Sequence, residues 1–173
     1  MTLADALKAG VLYKNDVPPS AAQRYPEQKA AILQQVSEGG CWRHLAPDLQ
    51  QAYLMGSFRL DGGKTGMARR LAWDEPALTL TCSPAQKQTE RCHPTETRPL
   101  TVREYVRIQT FPDDWQFCGS LSSQDRQIGN AVPVNLAAAV GRSLVNLLNA
   151  LETKSPQPTI CLLAAKQLEF SFV

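Results

Sequence analysis

The chain has little net charge, no paired cysteines and no long apolar run, and each shortage removes a class of protein. Net charge is +2, with 20% of the 173 residues charged. No global field therefore draws the molecule to nucleic acid, and any such affinity must come from local clustering. The five cysteines are odd in number and scattered, with no CxxC pair, so reduced thiols in a cytoplasmic protein are expected. No apolar run approaches membrane length. The opening MTLADALKAG lacks the basic start and apolar stretch of a signal peptide. No internal repeat is visible. The 43% of hydrophobic residues is the composition of an ordinary globular domain that can bury one core.

Familiar site patterns are also missing. Gly62-Gly63-Lys64-Thr65 looks like the end of a phosphate-binding loop, but the glycine that should open that loop falls at Phe58, so the reading fails. Cys82, Cys92 and His93 have neither CxxC nor HxxxH spacing and no obvious fourth ligand, so no metal is expected. Cys92 and Cys118 have no local activating partner and read as structural thiols.

In chain order, Thr2 can cap a short helix, Leu3 to Ala9, closed by Gly10. Asn15, Pro18, Pro19 and Ser20 mark a loop. Pro26 opens a helix with Ile32, Leu33 and Val36 on one face, ended by Gly39-Gly40. Pro47 opens another, with Leu49, Tyr53 and Leu54 for packing, ended near Gly56. Phe58-Arg59-Leu60, Met67 to Trp73 and Ala77 to Cys82 are strand candidates; in the last, Leu78, Leu80 and Cys82 alternate with smaller or polar residues. Residues 83–97 are polar and irregular. Thr65, Arg69, Arg70, Gln86, Lys87, Gln88, Thr89 and Arg91 then form a polar, basic surface around the strand candidates. Arginine forks and glutamine amides suit base edges, and Lys87 suits phosphate. Taken alone, such residues are usually just a solvated face.

The stretch TRPLTVREYVRIQTFPDDWQFCGSLSSQDRQIGNAVPVNLAAAVGRSLV, residues 97–145, has the densest local logic. Thr101 and Glu104 have capping-box spacing, and Leu100 and Tyr105 are spaced to staple the helix entry. Val102, Val106 and Ile108 supply apolar contacts, while Arg103 and Arg107 share a flank. Pro112 stops the helix, and Phe111-Pro112-Asp113-Asp114 reads as a turn. A second short helical piece follows. Gly129-Asn130 can supply unusual backbone angles, and Pro133 suits a first helical turn. Leu136, Ala137, Val140, Leu144 and Leu147 then recur at helical spacing. Gly129, Asn130, Ala131 and Val132 would lie where that helix begins, with N–H groups free for an anion; the plain alternative is a turn and cap. Ser155-Pro156-Gln157-Pro158 reads as a linker, and residues 160–173 as an apolar tail that docks as helix or strand.

The run from Arg98 to Asp113, RPLTVREYVRIQTFPD, resembles the ninth motif of the DNA cytosine-5 methyltransferases, and Gln127-Ile-Gly-Asn-Ala-Val-Pro-Val134 resembles their tenth. Two long motifs in the family's order and separation are far more specific than a short pattern. The resemblance extends more weakly upstream through Gly66–Pro76 and Thr79-Leu80 and covers roughly Thr2 to Asn149. It implies an α+β, mixed architecture: a small DNA-recognition domain with short antiparallel strands and flanking helices, and a long C-terminal helix belonging to a Rossmann-like cofactor domain. The corresponding division is a target-recognition region over 1–96, a motif nine and ten segment with the long helix over 97–150, and a linker and tail over 151–173.

The resemblance also implies function. Enzymes of this family transfer a methyl group from S-adenosylmethionine to carbon 5 of cytosine, which is rotated out of duplex DNA. A cysteine thiolate adds to the ring and a glutamate assists. The glycine-rich cofactor loop, the Pro-Cys dipeptide and the Glu-Asn-Val segment of the family do not occur in this chain. Pro84-Ala85-Gln86 is not the nucleophile motif with its cysteine lost, because it stands just before the ninth motif. No catalytic residue is therefore assigned. Asn130, Ala131 and Val132, beside Gly129, would line the S-adenosylmethionine pocket. Arg98, Thr101, Arg103, Glu104 and Arg107 would shape the recognition region, as helix-surface and ion-pair residues. The implied partners are double-stranded DNA and a catalytic polypeptide of a restriction–modification system, without which the chain is inactive; no membrane is implied. The long helix is expected to show an exposed apolar patch, or to be covered by the tail or by self-association. One departure is Asp125, where related sequences commonly carry an aromatic residue. The alternative is a vestigial or stand-alone DNA-binding module.

Overall fold

The structure, a computed structural model, describes residues 1–59 and 66–152. Leu60, the Gly62–Thr65 run and the tail beyond Glu152 lie outside the described residues. The chain divides into two compact units, Met1–Val134 and Asn135–Val173.

The first unit is helical and loop-rich, with α1 Leu3–Leu7, α2 Glu27–Leu33, α3 Pro47–Leu54, α4 Val102–Ile108 and α5 Leu121–Asn130. Short 3-10 turns lie at Trp42–His44, Met55–Arg59 and Lys87–Thr89. Local chemistry accounts for the helix starts. Thr2 and Asp5 form a capping box on α1, and Thr101 and Glu104 form the expected one on α4, each satisfying two otherwise orphaned N–H groups. Pro26 and Pro47 sit at the entries of α2 and α3, where a missing N–H costs nothing. The α4 exit is equally defined. Thr110 takes a left-handed φ of 58°, Thr110 N–H donates to Arg107 O at 2.9 Å and Phe111 N–H to Val106 O at 3.1 Å. This is the double closure usually built on glycine, and Pro112 follows immediately.

Two apolar cores hold the unit. One gathers Leu3, Leu7, Leu71, Leu80, Leu100, Tyr105, Val106 and Ile128, joining α1, α4 and α5. The other gathers Leu33, Val36, Leu45, Tyr53, Leu54 and Met67 from α2, α3 and the segment after Gly66.

The strand expectations are corrected. Phe58 and Arg59 belong to a 3-10 turn, and Met67–Trp73 and Ala77–Cys82 form no strand; the described residues contain only isolated bridges, such as Arg70 with Cys92 and Cys92 with Pro99. Side chains take the backbone groups that a ladder needs. Thr79 O accepts from Arg91 Nε at 3.2 Å and Nη2 at 2.6 Å. Ala68 has φ 46°, which breaks extended geometry. The period-two pattern also misreads burial: Leu80 is buried, whereas Leu78 and Cys82 are exposed.

The helix α6 spans Val134–Glu152 and, from Asn135 on, belongs to the second unit. Leu136, Val140, Leu144, Val145, Leu147, Leu148 and Leu151 are between 41% and 64% exposed; the tail, the alternative cover, lies outside the described residues. By length and composition alone, the stretch Leu121–Leu151 meets the requirement for crossing a membrane, contrary to the reading that no apolar run approaches that length. Asn135, Arg142, Asn146 and Asn149 nevertheless recur on one side of α6. Opposed to Val140, Leu144, Leu148 and Leu151, they make the helix two-faced rather than uniformly apolar.

Candidate nucleic-acid interface and the Gly129–Pro133 turn

The segment from Gly66 to His93 carries most of the residues expected at DNA, and the structure separates them into two groups. Arg70 is 4% exposed. Its Nε donates to Val36 O at 2.7 Å, and Nη1 donates to the carbonyls of His93, Pro94 and Glu96 at 3.0, 3.4 and 3.1 Å. Nη2 donates to Leu33 O at 2.8 Å and Thr97 Oγ1 at 3.0 Å. All five guanidinium N–H groups are thus engaged, tying the end of α2 to the loop before motif nine. Arg91 is buried as well, on Thr79 O and on Glu90 O at 2.8 Å. Neither belongs to an exposed basic surface, because each is needed to satisfy buried carbonyls.

The second group sits around the 3-10 turn Lys87–Thr89. Gln86 and Gln88 are exposed, with Lys87 and Thr89 half-buried. The turn is stiffened from below. Thr89 N–H donates to Gln86 O at 3.2 Å, Arg91 N–H to Pro84 O at 3.2 Å and Glu90 N–H to Gly66 O at 2.9 Å. A Cβ on Gly66 would stand 2.6 Å from Gln88 O, so only glycine allows this approach. The Lys87 ammonium lies 5.2 Å from the Tyr53 ring centroid. Beneath, the fully buried Glu90 carboxylate meets Lys29 and the Tyr53 hydroxyl. Burial pushes the Glu90 carboxyl up, against the pull of those two partners. Arg69 lies at the edge, paired with Glu75 at 3.2 Å. Thr65 lies outside the described residues.

Motif nine builds a frame. Arg98 grips Glu104 with two bonds of 2.8 and 2.9 Å and reaches Glu96 at 2.9 and 3.1 Å. Burial raises the Glu104 carboxyl, but the Arg98 fork and the Thr101 N–H outweigh it and hold it below the usual range. His93 Nδ1 accepts from Glu96 N–H at 3.1 Å, which places the ring proton on Nε2, 3.7 Å from Glu104 Oε1. Arg103 donates to the carbonyls of Asp113 and Trp115 at 3.1 and 2.8 Å, and its N–H is taken by Ser20 Oγ at 2.9 Å. Arg107 and Glu104 are not on the helix surface as expected. Arg107 is 0% exposed: it binds Asp113 through bonds of 2.8 and 2.7 Å, donates to Asn15 O and Asp16 O at 2.8 and 3.1 Å, and stacks over Tyr13 at 4.3 Å. The guanidinium holds the Asp113 carboxyl below its ordinary value.

The residues expected at a helix start instead close one. Gly129 and Asn130 are the last residues of α5, with Ala131 as its cap, whose N–H is bonded to Ile128 O at 3.1 Å. Gly129 is required for space rather than for backbone angle: a Cβ there would lie 2.4 Å from Thr81 O and 2.7 Å from Cys82 N. Asn130 is exposed and accepts from the Cys82 thiol at 3.0 Å, while Val132 is 60% exposed. Sequence reasoning passed over Gln109, which is buried and donates to Ile128 O at 2.9 Å and Ala131 O at 3.1 Å. Its position three residues before Pro112 in the motif is the only sequence signal for it. Asp125 is 2% exposed and is bonded by Gln23 Nε2 at 2.6 Å. Burial drives its carboxyl up, partly opposed by that bond. No cluster of metal-ligating residues occurs among the described residues.

The first unit thus carries an exposed polar loop at Gln86–Gln88 and, further along the chain, a clamped turn at Gly129–Pro133. Residues 16–146 match the C-5 cytosine-specific DNA methylases, and the chain belongs to that family. It is 65% identical over 154 residues to the Type II methyltransferase M.Eco47II of Escherichia coli, covering 89% of this chain and 37% of that protein. To M.PspPI of Psychrobacter sp. (strain TA137) it is 65% identical over 150 residues, covering 87% and 36% respectively. To M.Sau96I of Staphylococcus aureus it is 57% identical over 133 residues, covering 77% and 31%. The chain therefore spans about a third of the length of these relatives.

Proposed function

We propose that this chain is the DNA-recognition and cofactor-pocket-completing portion of a DNA (cytosine-5-)-methyltransferase of a restriction–modification system, inactive without a catalytic half. The observation that carries the reading is the combination of family membership with span: the chain matches the family over residues 16–146 yet covers 37% of M.Eco47II and holds no Pro-Cys or Glu-Asn-Val segment. The exposed stripe of α6 supports the same view, since an apolar face of this size is normally covered by a partner surface.

Within that reading, Gln86 and Gln88 supply amides for base edges and Lys87 supplies charge for phosphate. Arg69 and Thr89 complete that set, with Thr65, which lies outside the described residues, expected beside them. Arg70 and Arg91 are left out because their donors are spent inside the fold. Gly129, Asn130, Ala131 and Val132 would face S-adenosylmethionine, the methyl donor of the reaction. Asn130 offers an exposed amide beside the apolar side chain of Val132, which suits one wall of a pocket for a nucleoside with a polar tail; the remaining walls would come from the catalytic half.

The test is duplex binding by fluorescence anisotropy across a salt series. Lys87→Ala should weaken binding evenly across sequences and lower the salt slope by about one unit. Gln88→Ala should cost about 1–3 kcal/mol on the preferred sequence alone. Equal losses on all sequences from Gln88→Ala would remove the glutamines from base reading.

A further inference from the structure

The turn from Gly129 to Pro133 is held at both ends by one side chain and its own backbone. Gln109, at the exit of α4, has two amide hydrogens, and Nε2 lies 2.9 Å from Ile128 O and 3.1 Å from Ala131 O. Those carbonyls bracket Gly129 and Asn130. The Gln109 carbonyl in turn accepts from Val134 N–H at 3.0 Å, the first residue of α6. Gln109 is itself fixed, with its N–H bonded to Tyr105 O at 3.1 Å and the closed helix exit behind it. From the opposite side, the backbone of Thr81 and Cys82 leaves no room beside Gly129. The turn cannot shift toward the Thr81 segment, and Gln109 keeps it from shifting away.

We propose that Gln109 is a positioning residue for methyl-donor binding: it touches no donor, but sets the height and direction of the Asn130–Val132 edge. This inference rests on the reading of that edge as facing S-adenosylmethionine. Asparagine would fall one methylene short, and glutamate would aim a carboxylate at two carbonyls and supply no donor to either. A pocket edge displaced by a fraction of an ångström loses affinity, because orientation is what its supporting bonds maintain.

The first measurement uses the chain alone. Gln109→Leu should accelerate amide exchange at Ala131 and Val134 by ~10-fold or more, with the amides of Tyr105 to Ile108 unchanged. The second uses the chain assembled with the segment of the Escherichia coli relative that this chain does not cover, titrated calorimetrically with S-adenosylmethionine. Gln109→Leu should raise the donor Kd by ~10-fold or more, while kcat at saturating donor and KM for DNA stay within ~2-fold. If Gln109→Leu fails to fold, Gln109→Asn decides, with ~3-fold weaker donor binding expected. Unchanged donor affinity in a folded Gln109 variant, while Asn130→Ala weakens it, overturns the role of Gln109 alone. Unchanged affinity in both overturns the cofactor-facing reading beneath it.

Discussion

Arg70 looks in sequence like a DNA contact and in the structure like a staple, and replacing it separates the two roles. Arg70→Met keeps an unbranched apolar stem and removes every donor. Five backbone carbonyls and the Thr97 hydroxyl lose a bond. Each buried acceptor left unpaired costs about 1–3 kcal/mol. Leu33 O and Glu96 O retain another donor, from Val36 N–H at 3.1 Å and Arg98 N–H at 3.0 Å, and relaxation recovers part of the remainder. A net loss of about 3–4 kcal/mol follows. With a urea slope near 2 kcal/mol/M, the midpoint should fall by about 1.5–2 M. Arg70→Lys retains the charge but not the planar fork, so it should lose about 2 kcal/mol. Urea denaturation followed by circular dichroism reads both. A midpoint within about 0.2 M of the parent, together with a lost affinity for duplex DNA, would refute the reasoning and return Arg70 to the interface.

Three further outcomes follow from the geometry. Gly129→Ala should destabilise by about 1–3 kcal/mol in spite of alanine's better helix propensity, because the new methyl meets backbone atoms of Thr81 and Cys82 that cannot swing aside; an unchanged urea midpoint would show that the α5 end is free to move. Burial holds His93 below the ordinary value of 6.5, with Glu104 and Glu96 pulling it up and Arg98 and Arg70 pushing it down. The fold therefore favours the neutral ring, so stability is full above pH 6.5 and declines as pH falls through the depressed value. His93→Gln should flatten that limb, and an identical pH profile in the variant would assign the acid loss elsewhere. Asp125 shifts the other way, so its contribution is greatest below its unfolded value of 3.8 and is lost as pH rises through the elevated one. Asp125→Asn keeps an acceptor for Gln23 and should hold or raise neutral-pH stability by about 1 kcal/mol; a loss of that size would mean the charged carboxylate is favourably paired.

What was legible in the sequence was what is local. The Thr101–Glu104 box, the proline entries at Pro26 and Pro47 and the apolar register of α6 depend on residues a few positions apart, and all appear as read. Burial of a charged side chain is set instead by remote backbone. Arg107 sits at the i+4 position from Arg103 and reads as a helix flank, yet its carbonyl partners Asn15 and Asp16 lie more than ninety positions away. Arg70 and Arg91 were misplaced for the same reason. The alternation in Ala77–Cys82 predicted a strand because periodicity cannot register that Arg91 takes the Thr79 carbonyl. Gly129 was expected to supply an unusual backbone angle, whereas what demands glycine there is the Thr81 segment, 48 residues earlier in the chain. The family was readable because two long motifs carry more information than any single contact.

The most direct test of the account follows labelled methyl groups from S-adenosylmethionine into mixed-sequence duplex DNA, first with this chain alone and then with the segment of the Escherichia coli relative that this chain does not cover added. The account predicts no incorporation from either piece separately and incorporation at cytosine carbon 5 from the two together. Methyl transfer by this chain alone would contradict it.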